Sequence, residues 1–157
     1  MSDIVWLNGA FGVGKTTVAR LLATERTLVD PERIGFVLRR LPFWRQRDYQ
    51  TIGLWRTLTV RRVRRAARTG PVVVPMTIVD REVLAELRRG LPDMRMVVLD
   101  APADLIAARA RDDAADPHAA QWRLENLDRC VTALADPAFG PHLDAGRPPA
   151  EIAKELR

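Results

Sequence analysis

A single cysteine, Cys130, stands among the 157 residues, so no internal disulfide can form and a stapled, secreted scaffold is excluded. Lysine is nearly as scarce: Lys15 and Lys154 are the only two among 25 basic residues, the rest being arginine. No apolar run approaches the roughly 20 residues that span a bilayer. The longest such stretches, 72–79 and 96–99, have the length of strands. The opening Met1-Ser2-Asp3 offers neither a basic region nor a spacer before the apolar segment, which runs straight into Asn8-Gly9, and so does not read as a signal peptide. The two histidines, His118 and His142, lack partners at metal-ligand spacing. These absences together predict a cytoplasmic protein without a transmembrane segment, and leave peripheral membrane contact open.

Apolar residues make up 47% of the chain and charged residues 29%, enough for a core and a soluble surface. The length predicts one domain over residues 1–157, as a monomer or homodimer. The net charge of +5 raises the question of nucleic acid. No base-reading motif accompanies it, and so strong a preference for arginine over lysine is what a GC-rich coding bias produces. Nucleic-acid binding is not expected.

Short apolar runs alternate with amphipathic segments, a βαβα pattern that predicts a parallel sheet covered by helices on both faces. The strands are expected at 4–7, 27–29, 72–76, 95–99 and 141–144. Helices are expected at 15–23, 31–40, 51–68, 80–89, 102–111, 122–135 and 148–156. Pro31 suits a first helical turn, and Gly90 a helix end. In the long helix, Ile52, Trp55, Thr59, Val63 and Ala66 share one face while Arg61, Arg64, Arg65 and Arg68 gather opposite. The polar stretch 112–118 is read as a lid.

Gly9-Ala10-Phe11-Gly12-Val13-Gly14-Lys15-Thr16 fits G-x-x-x-x-G-K-[ST] without a gap, between an apolar strand and an amphipathic helix. Glycines let successive backbone N–H groups turn inward and approach phosphates, and the following helix adds the positive end of its dipole. Lys15 is placed to reach the β- and γ-phosphates, Thr16 to ligate Mg²⁺, and Thr17 to meet the α-phosphate. The expected cofactors are therefore ATP and Mg²⁺. A chain that otherwise uses arginine has put one of its two lysines inside this loop.

The run Trp6 to Thr16, the segment Asp30-Pro31-Glu32 with Gly35-Phe36 and Leu38-Arg39, and the strand Val74-Pro75-Met76-Thr77-Ile78-Val79 resemble the tunicamycin-resistance ATP-binding proteins. Leu54-Trp55-Arg56 and Asp128-Arg129-Cys130 are similar as well, so the resemblance extends to about residue 142. It implies a P-loop sandwich of the nucleoside monophosphate kinase type, with a five-stranded parallel sheet. It also implies ATP-linked resistance to a uracil-containing nucleoside antibiotic, by phosphorylation or by sequestration. A kinase for another nucleotide or small metabolite has the same scaffold.

Phosphoryl transfer to a hydroxyl needs a group that orients or deprotonates it and cations that offset developing charge. Asp30, after the second strand, is the candidate base or metal-linked carboxylate, and equally an N-cap for the next helix. Thr77 ends the third strand where a metal-binding carboxylate is usual; Asp80, one turn later, reads better as an N-cap. Arg109 and Arg111 before the lid, with Arg123 and Arg129 after it, are a set that can close over phosphates. Phe36, Arg39, Trp44, Tyr49 and Trp55 lie between strands two and three, where such enzymes hold the acceptor. A ring there can stack on a uracil, although the position of Trp55 on the apolar helix face favours packing. Cys130 is read as core.

Overall fold

Valine-rich strands buried on both sides favour parallel pairing, because crossover helices then cover both faces of the sheet. In the computed structural model, which describes residues 3–44, 48–112 and 117–157, five such strands pair. They are β1 (Ile4–Gly9), β2 (Thr27–Leu28), β3 (Val72–Pro75), β4 (Met94–Asp100) and β5 (His142–Asp144). All neighbours run parallel in the order β2-β3-β1-β4-β5, which puts β1 at the centre with its C-terminal end open to the loops above. Ile4, Trp6, Val72, Val74, Met96 and Val98 face one side, and Val5, Leu7, Val73, Val97 and Leu99 the other, as the two-residue strand period requires.

Among the described residues, seven α-helices cover these faces: α1 (Lys15–Leu22), α2 (Pro31–Arg39), α3 (Gly53–Ala67), α4 (Arg81–Gly90), α5 (Ala103–Asp112), α6 (Pro117–Leu134) and α7 (Pro149–Glu155). Residues of α2, α3 and α4 join the first core, those of α1, α5 and α7 the second. Trp55, Thr59 and Val63 form the buried stripe of α3, with Arg61, Arg64, Arg65 and Arg68 outside. Pro75 is tolerated inside the sheet for a specific reason. Val72 and Met76 donate to β1, so position 75 faces β2, whose pairing has already ended at Leu28–Val73.

The expected boundaries hold to within a residue or two, except that α6 begins at Pro117 rather than near residue 122, helped by Pro at its first position and by Ala119-Ala120. Of the lid stretch, Asp112 ends α5 and Pro117 opens α6, while 113–116 lie outside the described residues. No helix among the described residues is long and apolar enough to cross a membrane.

Candidate functional site

The loop from β1 to α1 is pinned from below. Asn8, fully buried, donates from Nδ2 to the Ile78 carbonyl at 2.8 Å, while its Oδ1 accepts from the N–H of Gly9 at 2.8 Å and of Ile78 at 2.9 Å. Thr77 donates its hydroxyl to the Gly9 carbonyl at 2.8 Å, and Gln50 its side-chain amide to the Thr77 carbonyl at 2.8 Å. Gly9 itself has φ of 142°, and a Cβ there would come within 2.6 Å of the Leu99 carbonyl oxygen, so no other residue fits.

Above this base the loop is prepared for an anion. Gly14, with φ of 114°, precedes α1 and gives it no side-chain cap, so the first-turn N–H groups stay available. The Lys15 ammonium folds back and donates to the carbonyls of Gly9 at 3.0 Å and Ala10 at 2.8 Å, 5.6 Å from the Phe11 ring centroid. It makes no ion pair among the described residues. Burial pushes its pKa down to about 8, against the opposing field of Glu32. A cation held only by carbonyl oxygens is poised to exchange them for phosphate oxygens.

Gly12, Gly14, Lys15, Thr16 and Thr17 line a cavity of about 400 Å³, which places it in the size range of small-molecule pockets. Arg109 and Arg123 line it too, and Arg109 Nη1 donates to the Val13 carbonyl at 2.9 Å. The far wall is Ala145, Pro149 and Ile152, from the β5–α7 connection and α7. Phe11 packs edge-on against Trp122 with centroids 4.5 Å apart, tying the loop to α6. Cys130 is buried on α6 behind the loop.

At the start of α2 the Glu32 carboxylate lies in the field of Lys15, with Asp30 acting on Glu32 in turn. Asp30 caps that helix, accepting from the Glu32 N–H at 2.9 Å, so the capping role holds. Glu32 is half-buried and makes no hydrogen bond through its carboxylate among the described residues. Burial first, then the neighbouring Asp30, raises its pKa, while Lys15 and Arg123 pull it back. Beside this pair lies Tyr49, whose ring fills the space that a Cβ on Gly35 would occupy, 2.6 Å away, and meets Trp55 with centroids 5.6 Å apart. Burial and the charges of Glu32, Asp48 and Asp30 hold its phenol well above the ordinary value.

The sequence-derived set divides accordingly. Gly12 to Thr17, Arg109 and Arg123 line one cavity, Gly9 to Phe11 belong to the same loop, and Asp30 and Tyr49 gather around Glu32. Thr77 lies beneath the loop with its hydroxyl committed to Gly9. Trp55 is core, donating its indole N–H to the Pro31 carbonyl at 3.0 Å. Phe36, Arg39, Arg111 and Arg129 are exposed, and the Trp44 side chain lies outside what is described. Asp80 is exposed and caps α4 through Glu82 and Val83. The sequence reading passed over Glu32 as a site residue, as well as Asn8, Gln50 and the Ala145–Ile152 wall. Glu32 carried a signal, a second carboxylate two residues after the cap and so in the same first turn. The wall, built of small apolar residues, carried none.

A family model described as an AAA domain matches residues 4–137. The chain belongs to this AAA-domain family. Among solved structures it is similar to the tunicamycin resistance protein of Deinococcus radiodurans, with TM-score 0.76 and 28% identity over 99% of this chain and 94% of that one. A sugar kinase from Janibacter sp. HTCC2649 (TM-score 0.70, 23% identity, 99% and 92% covered) shares the fold. So does a gluconokinase from Sinorhizobium meliloti 1021 (TM-score 0.68, 20% identity, 99% and 89% covered). No curated protein matches the chain in sequence. The architecture of this AAA-domain protein is thus that of the P-loop kinases, and the likeness read from its sequence to tunicamycin-resistance proteins has a structural counterpart.

Proposed function

We propose that the protein is an ATP-dependent phosphotransferase whose acceptor is a hydroxyl of a small molecule, and that the acceptor is a uracil-containing nucleoside antibiotic of the tunicamycin class. The observation that carries the reading is the Lys15 ammonium, desolvated, hydrogen-bonded among the described residues only to loop carbonyls, lining a nucleotide-sized cavity and lying in the field of Glu32. The likeness to the Deinococcus protein supports the acceptor class.

In this reading the loop N–H groups and Lys15 hold the β- and γ-phosphates, while Arg109 and Arg123 offset charge from the cavity side. The residues fit a magnesium ion shared with the nucleotide. The Thr16 hydroxyl is exposed at the cavity, and no cluster of three metal-binding side chains among the described residues competes for the ion. When bound there, the ion would neutralise phosphate charge. The acceptor oxygen attacks the γ-phosphorus, its proton passes to Glu32, and the bond from the γ-phosphorus to the β–γ bridging oxygen breaks. The electron pair leaves on ADP, next to Lys15. A carboxylate with a raised pKa is the better base of the two, and Asp30 orients it through the shared turn.

Incubation with labelled ATP and a panel of tunicamycin, uridine, UMP and common sugars, followed by mass analysis, tests the assignment. Transfer to tunicamycin is expected, with none from Lys15→Ala. Product from a sugar or UMP alone would move the protein to another acceptor class. ATP-dependent drug binding without product would replace transfer by sequestration. Full transfer by Lys15→Ala would dismiss the site.

A further inference from the structure

Of the four tryptophans, Trp6 and Trp55 are buried completely, and each donates its indole N–H to a backbone carbonyl at 3.0 Å. Trp122 is placed differently. It stands on α6 and is 49% exposed, in a run whose other outward positions are Gln121, Glu125, Asp128 and Arg129. A single exposed apolar side chain is ordinary on any surface. This one is set apart by its neighbour. Its ring meets Phe11 of the phosphate loop edge-on, with centroids 4.5 Å apart and planes at 62°. The Phe11 centroid is in turn 5.6 Å from the Lys15 ammonium. An open indole thus lies one ring away from the cation of the site.

The ring pair lies outside the nucleotide cavity. Lys15 and Arg123 line that cavity and Phe11 and Trp122 do not, while Ala145, Pro149 and Ile152 already give it an apolar wall. Arg123, the next residue along α6, acts electrostatically on both Lys15 and Glu32. The start of α6, the phosphate loop and the first turn of α2 therefore converge on the two groups between which transfer is proposed. Of the rings between the second and third strands, Tyr49 packs into the gap at Gly35 and against Trp55, and Trp55 is core. Trp122 has its surface open where theirs is taken up.

We propose that Trp122, braced by Phe11, is the platform on which the planar base of a nucleoside acceptor stacks, leaving the hydroxyl end of that molecule at Lys15 and Glu32. The inference rests on the phosphoryl-transfer reading for where the acceptor lies, and it adds the residue that selects the acceptor. Stacking tolerates any base, because every base has a π-face. Trp122 therefore selects for a planar ring and not for uracil over cytosine. The edge-on contact with Phe11 holds the indole in one orientation, so little side-chain freedom is lost when a ligand settles on it.

Tryptophan fluorescence of the full chain, titrated with uridine, cytidine and ribose, reads it out without turnover. Subtracting the emission of Trp122→Phe isolates the one indole. The expected result is quenching by both nucleosides to a similar extent and none by ribose. In transfer assays with ATP and tunicamycin, Trp122→Ala and Trp122→Leu each raise the acceptor KM about tenfold or more, and Trp122→Phe about threefold or less. The KM for ATP stays within about twofold in all three variants. Trp122→Leu separates stacking from packing, because leucine still covers Phe11 but has no π-face. A wild-type acceptor KM in Trp122→Leu overturns the proposal. So does Trp122 emission that neither nucleoside changes, or a KM for ATP that rises as far as that for the acceptor. Quenching by both nucleosides with no phosphorylated product keeps Trp122 as the base platform and removes the transfer reading. Transfer to tunicamycin by Trp122→Ala at wild-type efficiency does the reverse.

Discussion

Lys15→Met removes a charge that the folded chain holds out of water, and the size of the effect follows from the pKa. A fall from 10.5 to about 8 corresponds to roughly 3 kcal/mol of native-state destabilisation at neutral pH. Methionine fits the same space but gives up two ammonium–carbonyl hydrogen bonds, about 1 kcal/mol each at most, so the variant should be more stable by roughly 1–2 kcal/mol. For a chain of this length that is a rise of about 3–6 °C in Tm. The sign of the pH dependence is fixed. Between 8 and 10.5 the unfolded chain keeps the proton that the folded chain has released, so wild-type stability climbs with pH across that window. Below it the whole penalty stands. The advantage of Lys15→Met should therefore be largest near neutral pH and shrink steadily toward about pH 10. Thermal melts of both proteins over that range measure it. Added Mg-ATP should raise the wild-type Tm and leave the variant unmoved. A variant that melts below wild type at neutral pH, or an offset independent of pH, would refute the assigned desolvation.

Asn8→Ala should cost about 3 kcal/mol or more, since it orphans two buried N–H groups and one carbonyl; denaturant unfolding measures the loss. Glu32→Gln should cut transfer by two orders of magnitude or more while an ATP-binding titration stays within about threefold of wild type. In the wild type the acid limb of kcat/KM should lie above the ordinary carboxylate value, because Glu32 accepts a proton only once ionised and its pKa is raised. Gly35→Ala should push the Tyr49 ring aside and raise the acceptor KM more than that for ATP, as steady-state kinetics would show.

Periodicity and turn chemistry carried nearly all of the fold. Val72–Val74, apolar throughout, announced a strand covered on both faces, and the phosphate loop carries its own spacing in the sequence. What stayed hidden was proximity. Thr77 stands at a strand end, where a metal-binding carboxylate is usual, yet the neighbouring Gly9 carbonyl claims its hydroxyl. Glu32, in the first turn after the cap, drew no notice until its desolvation and the field of Lys15 set it apart. Tyr49 needed Gly35, fourteen positions away, to make room for its ring. Such effects come from contacts that no local pattern encodes.

The cavity wall at Ala145, Pro149 and Ile152 sets an order of events during synthesis. The phosphate-gripping turn leaves the ribosome before β3, β4 and α6, and the surface that closes over it only after them. A growing chain therefore holds the grip without the enclosure. Nucleotide affinity should arrive late and abruptly, when residues near 150 clear the exit tunnel, and not in proportion to the length already made.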